Sequence, residues 1–319
     1  MRRMRPDGAM DEAEVKCFFL RVYRYGDPGI RKWGEQRSQW SLFRSGQPKG
    51  RGQANRMSLW NRDTRCLHIL DPKNVWVSSR TEKTLTAWKE LGTHNTFNNG
   101  EVVKNSDIVF LAVKPHMLDE ALNGVAKTLK TKSHNKLYVS VLAGISLDTL
   151  AEKLVAIDTH PRIIRCMPNT PMMIGEGITV YCGKNALEED IRLIGTLFSF
   201  IGISQNVPES LINAISGLSG SGPAYAYLII EAMADGAVKM GVPRAMATKF
   251  AAQVLVGAGK MVLETERHPG QLKDEVCSAG GTTITGVHAM ERGQVRGSMM
   301  NAIEAAVNKA NEMTATFKD

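Results

Sequence analysis

Between residues 74 and 207 the chain repeats one alternation, and nothing else in it constrains the fold as strongly. Short, nearly unbroken apolar runs stand at NVWVSS (74–79), DIVFLAV (107–113), KLYVSVLA (136–143), RIIRCM (162–167) and GITVYC (177–182), with a brief one at 203–207. Stretches with helical spacing separate them, at 81–91, 116–130, 146–154 and 186–202. Unbroken apolar runs suit strands covered on both faces, and helices between them are the crossovers that parallel strands need. The pattern therefore predicts an α/β fold with a doubly wound parallel sheet. In such sheets ligands bind beyond the carboxyl ends of the strands. Three motifs sit at such ends: Ser78-Ser79-Arg80, Ala112-Val113-Lys114-Pro115 and Met167-Pro168-Asn169-Thr170-Pro171.

Beyond Pro208 the character changes, and no further strand is expected. Pro223 opens a helix that reaches Met240 and stops at Gly241, and Pro243 opens the next, to about Glu264. Proline at the first helical position costs nothing, because that N–H has no partner anyway. Both helices are rich in Ala, Gly and Met, so residues 209–319 read as an all-helical domain whose apolar load calls for a second copy of the chain. Methionines 233, 240, 246 and 261 belong to that core or interface. No run approaches 18 consecutive apolar residues, so no membrane span is expected. The 5 cysteines are odd in number and form no C-x-x-C pair, and the 7 histidines are scattered. Neither a disulfide framework nor a metal site is expected, and a reducing compartment is the simple reading.

Charge is uneven. Of 40 Lys+Arg and 32 Asp+Glu, residues 1–66 hold 15 and 7, which leaves 25 of each sign in the rest. The net +8 thus belongs to the N-terminal fifth, and the body offers no electrostatic footprint for nucleic acid. Residues 1–68 form an atypical basic segment ahead of a 69–208 dinucleotide-type domain and the 209–319 helical domain. A doubly wound dinucleotide fold should begin strand, G-x-G-x-x-G, helix. Residues 1–68 do not supply this. VKCFFLRVY (15–23) is the strand-like run, and GQPKGRGQANR (46–56) is a glycine cluster with Asn55 where the third glycine would stand.

A further motif, VCSAGGTTITGVHAMERG (276–293), crowds hydroxyls and glycines just before an amphipathic run. A carboxylate is well held by backbone N–H groups at a helix N-terminus. Gly280 and Gly281 let the backbone approach closely, and Ser278, Thr282 and Thr283 add donors. A plain capping turn uses the same residues. Gly217-Leu218-Ser219-Gly220-Ser221 nearly spells a nucleophile elbow, but it lacks the last glycine and a preceding strand. His288 reads as a packed residue.

With these stretches in hand, the chain from about residue 69 to 313 resembles the Δ1-pyrroline-5-carboxylate reductase family. The stretches are DIVFLAVKPH (107–116), RCMPNTPMMIGEG (165–177), GLSGSGPAYAY (217–227), DGAVKMGVPRAMA (235–247) and HPGQLKDEVCSAGGTTITGVHAMERG (268–293), in the family's order. The resemblance implies a Rossmann-like domain followed by a helical dimerisation domain, with the active site in a cleft between them. It implies hydride transfer from NAD(P)H to a cyclic imino acid, the last step of proline biosynthesis. Substrate contact falls to Ser278, Gly280, Gly281, Thr282, Thr283 and Glu266. Thr283 would polarise the ring nitrogen and Glu266 favour its cationic form. The cofactor would meet Asn99 near the adenosine, Ala112, Val113, Lys114 and Pro115 along its length, and Ala143, Gly144 and Asn169 towards the nicotinamide. Ser78, Ser79 and Arg80 stand where NAD enzymes often carry an acidic residue, so NADPH is expected, with NADH left open. The resemblance also implies a homodimer or a larger ring. The cytoplasm is the expected compartment, with the mitochondrion as the alternative, since MRRMRP begins like a presequence but acidic residues follow at once. Three rivals stand: another imine or β-hydroxyacid reductase, a non-catalytic oligomeric relative lacking the pyrophosphate loop, and polyanion binding through 1–66.

Overall fold

The computed structural model describes residues 71–317. The N-terminal runs 15–23 and 46–56 lie outside the described residues. The chain divides into two compact units, one ending at Ile212 and taking in the last residues from Thr314, the other spanning Asn213–Met313.

The first unit carries β1 (Trp76–Ser78), α1 (Glu82–Glu90), β2 (His94–Thr96), α2 (Asn99–Asn105), β3 (Ile108–Leu111), α3 (Leu118–Thr128), β4 (Leu137–Ser140), α4 (Leu147–Leu154), β5 (Arg162–Pro168), β6 (Gly177–Lys184), α5 (Glu188–Ser199), β7 (Gly202–Asn206) and α6 (Glu209–Ile215). Strands β1 and β2 pair in parallel, and β3-β4-β5-β6-β7 form a second sheet. Among the described residues β1 pairs only with β2, and β3 only with β4. Yet Val75 and Val77 share one core cluster with Ile108, Phe110, Val139 and Ile164. Strands β3 and β4 are buried at every position, as unbroken apolar runs predict. Each fully buried aliphatic side chain here contributes about 1.5–3 kcal/mol.

The sheet is not wholly parallel: β6 runs antiparallel to β5, with Cys166 opposite Tyr181. Only the short turn Thr170–Ile174 joins them, whereas a parallel return needs a crossover of about a dozen residues. Helix starts are set by local caps. Asn98 accepts from Gly100 N–H to start α2, and Ser146 accepts from Thr149 N–H to start α4. Helix α5 is capped from inside, because Asp190 accepts from Leu187 N–H at 2.9 Å. Both Asp190 oxygens also accept from Arg162 Nη1, at 2.7 and 2.8 Å.

The second unit holds a π-helical turn (Ser216–Gly220), α7 (Gly222–Lys239), α8 (Arg244–Thr265), α9 (Pro269–Val276), α10 (Thr282–Arg292) and α11 (Val295–Thr316). Prolines stand at the starts of α7 and α9, and Pro243 caps α8. Its buried core is small, namely Ala234, Ala247 and Ala251, backed by Ile230, Ala237, Val238 and Val242.

Candidate functional site

In the first unit the predicted cofactor residues gather where strands end. Ser78 closes β1 and is fully buried. It donates to Asn99 Oδ1 at 2.7 Å, and Asn99 Nδ2 donates to the Ala121 carbonyl at 3.3 Å. The pair fastens β1 to the first residue of α2 and to α3. Ser79 is also buried, and its Oγ accepts from Thr81 N–H at 3.4 Å. Arg80 is exposed, with no acidic residue between it and β1.

After β3, Ala112 is half-buried and Val113 buried. Lys114 is extended (φ −66, ψ 142) and caps the short turn Pro115–Met117. After β4, Ala143 is half-buried and Gly144 buried, with φ 78. After β5, Asn169 is buried. Its Oδ1 accepts from Ile178 N–H at 2.8 Å, and its own N–H donates to the Ile178 carbonyl at 3.2 Å. Asn169 therefore fixes the β5–β6 turn. The loops after β1, β3, β4 and β5 are the carboxyl ends of parallel strands, the edge at which such sheets bind ligands.

Two residues not singled out in the sequence join this group. Arg165, on β5, is buried, and its Nη1 donates to Glu209 Oε1 at 2.9 Å. The same oxygen accepts from Leu147 N–H, the first residue of α4, at 2.8 Å. A charged residue inside the apolar run RIIRCM was the available signal for Arg165.

In the second unit, Ser278 to Thr283 form the turn that leads into α10. Gly280 has φ 67, a left-handed conformation that side chains resist. Gly281 caps the helix with φ −80 and ψ 171, and a Cβ there would lie 2.3 Å from Ser278 Oγ. Glycine is thus favoured by backbone conformation at 280, while at 281 a larger residue would have to displace the Ser278 hydroxyl. Gly281 N–H bonds back to the Ser278 carbonyl at 3.0 Å, and Thr285 N–H and hydroxyl bond the Gly281 carbonyl. The amides of Thr282, Thr283 and Ile284 precede that first intrahelical bond and are the helix's open donors. Thr282 is exposed and Thr283 half-buried.

Glu266 ends α8 in the left-handed region, φ 54 and ψ 17. Its N–H bonds Val262, while Arg267 is paired with Glu275. The predicted residues therefore lie at the strand ends of the first unit, and in the second unit at the start of α10 and, separately, at the end of α8. His288 is exposed rather than packed. No cluster of His, Cys, Asp and Glu able to hold a metal occurs among the described residues.

Two family models match the chain. One, described as pyrroline-5-carboxylate reductase dimerisation, covers residues 209–313. The other, described as NADP oxidoreductase coenzyme F420-dependent, covers 52–144. Pyrroline-5-carboxylate reductase 2 of Bos taurus is 45% identical over 231 residues, which is 72% of this chain and 71% of that protein. Pyrroline-5-carboxylate reductase of Glycine max is 44% identical over 229 residues, 72% of this chain and 81% of that one. Among solved structures, the reductase of Coxiella burnetii superposes with a TM-score of 0.70 at 32% identity, over 78% of this chain and 92% of that one. The Plasmodium falciparum reductase with NADP bound gives 0.67 at 31% identity, over 76% and 88%. The strand ends, the glycine-led start of α10 and these relatives lead to one conclusion: the chain belongs to the pyrroline-5-carboxylate reductase family.

Proposed function

We propose that the chain reduces the cyclic imine 1-pyrroline-5-carboxylate to proline with NADPH. The observation that carries the reading is the start of α10. It offers three open amides behind a turn led by Gly280 and Gly281, a shape suited to a small carboxylate. The substrate's carboxylate binds there, assisted by the hydroxyls of Ser278 and Thr282. Thr283 donates its hydroxyl towards the ring nitrogen. Glu266 favours the protonated imine, the better hydride acceptor, by placing a negative charge near it. The nitrogen gains a proton and the imine carbon a hydride, so the C=N bond becomes a C–N single bond. Positioning and electrostatics then supply most of the rate.

The cofactor supplies the hydride. Asn99 and the loops ending in Pro115, Gly144 and Asn169 would hold its adenosine and nicotinamide portions. The bare strand end at Ser79, with Arg80 exposed beside it, suits a 2′-phosphate and favours NADPH over NADH.

The chain works as a homodimer or higher oligomer through α7 and α8, whose faces expose Leu228, Phe250 and Val254. Among the described residues no helix is long and apolar enough to cross a membrane. A reducing compartment, the cytoplasm, accords with free Cys166, Cys182 and Cys277.

The test is product analysis with the full-length chain, NADPH and a panel of cyclic imines and β-hydroxyacids. Proline formed one-for-one with NADPH consumed, and lost at least tenfold in Thr283→Val, supports the reading. Turnover of another substrate in preference to pyrroline-5-carboxylate overturns it.

A further inference from the structure

Two loops assigned to the nicotinamide end are tied to one carboxylate oxygen. Glu209 opens α6, and its Oε1 accepts from Leu147 N–H at 2.8 Å and from Arg165 Nη1 at 2.9 Å. Leu147 follows the turn that contains Ala143 and Gly144, and Arg165 lies on β5, whose end leads into Asn169. The Ser146 hydroxyl already caps α4 by accepting from Thr149 N–H at 3.1 Å, so Glu209 takes the first amide, which the serine leaves open. An anion at a helix start is favoured by the dipole, and a charge-assisted bond is stronger than a neutral one. Arg165 is only 3% exposed, whereas Glu209 is 33% exposed. The guanidinium is therefore fixed by the strand, and Glu209 reaches in to it. Glu209 is far from both partners in sequence, 62 residues from Leu147 and 44 from Arg165. It sets no local secondary structure in either loop.

We propose that Glu209 is a positioning residue for the nicotinamide end of the dinucleotide. It holds the turn after β4 in fixed register with the end of β5, so that Gly144 and Asn169 keep one spacing. The proposal rests on the reductase reading. It assigns Glu209 no contact with substrate or cofactor: the residue acts through Leu147 and Arg165. A small misplacement of a positioning loop is enough to cost on the order of tenfold or more in turnover.

The test compares full-length wild type, Glu209→Ala and Glu209→Gln. Alanine is a good helix former at this first helical position, so α6 survives the change. Gln keeps an acceptor oxygen for both donors and loses only the charge. Three readouts are taken: the NADPH dissociation constant, the KM and kcat for pyrroline-5-carboxylate, and amide exchange over 141–150 in the cofactor-free chain. Glu209→Ala should weaken NADPH about fivefold or more and lower kcat about tenfold, with the imino-acid KM within about twofold. It should also speed exchange at Leu147. Glu209→Gln should recover most of each loss. Wild-type NADPH affinity and kcat in Glu209→Ala, with only a lower thermal midpoint, would overturn the proposal by leaving Glu209 a purely structural role. Failure of Gln to rescue would overturn it equally. If the wild type binds no NADPH, the reductase reading fails, and the functional half of this proposal fails with it. Exchange at Leu147 then still decides whether the clamp exists.

Discussion

Glu266 sits in a conformation that costs a residue with a side chain about 1 kcal/mol or more, on the exposed end of α8. Glycine is the usual occupant of such a position. A carboxylate held there at a cost to stability fits service to a ligand. Glu266→Gly is expected to leave the thermal midpoint unchanged or raise it by about 2–4 °C, while kcat/KM for the imine falls at least tenfold. A lower midpoint with activity retained would assign the residue to the fold instead.

Two thiols give the chain an alkaline limit. Burial pushes Cys182 up to about 11 from 9.0, with the Glu209 carboxylate adding and the Arg165 guanidinium opposing. Burial likewise raises Cys166, its diagonal neighbour across β5 and β6. The folded chain holds these protons more tightly than the unfolded chain does. The stability they contribute is fully present below about pH 9 and is lost as pH climbs towards 11. Thermal midpoints measured across that window should fall, and Cys182→Ser should make the fall shallower. An equal slope in the variant would remove Cys182 as a cause.

At the scale of elements, the apolar runs that announced strands are the runs that became β1, β3, β4, β5 and β6. Their ends moved by one to three residues, because burial persists past the last ladder bond. Two elements left no such trace. Strand β2 is His94-Asn95-Thr96, polar throughout, and pairs in parallel with β1, where the His94 ring stacks on Trp76. Helix α2 is too short to show a period. The antiparallel return of β6 was legible in principle, since the connection from β5 leaves no room for a crossover. Among the candidate site residues, the turn before α10 read correctly as a helix start because Gly, Ser and Thr declare their backbone roles locally. The inward bond of Ser78 did not: only packing reveals that its hydroxyl donates to Asn99. Arg165 stood out as a charge inside an apolar run, but only packing reveals Glu209 as its partner.

The start of α5 shows how much one such buried contact carries. Asp190 is 2% exposed, caps Leu187 N–H and accepts from Arg162 through both oxygens. Asp190→Ala should destabilise the chain by about 3–5 kcal/mol in urea unfolding, because it leaves a half-buried guanidinium without its carboxylate. Glu188→Ala removes an exposed pair with Arg192 and should cost about 0.5 kcal/mol or less. Equal costs would mean that burial does not set the value of the Asp190 contact.

At the scale of the whole molecule, the second unit has long helices and a core of three alanines, while Met246, Phe250, Val254 and Met261 lie exposed at helical spacing along α8. Such a stripe is what an oligomer interface covers. Phe250→Glu is expected to shift the sedimenting species towards monomer, and an unchanged assembly would place the interface elsewhere.

This chain, with its atypical N-terminal segment, is expected to be a working nicotinamide reductase. The deciding measurement is fluorescence titration of the full-length chain with NADPH, and with NADH beside it. Saturable binding in the micromolar range is expected, tighter for NADPH, and weakened in Arg80→Ala for NADPH alone. A folded chain that gives no response to either nucleotide would contradict that expectation.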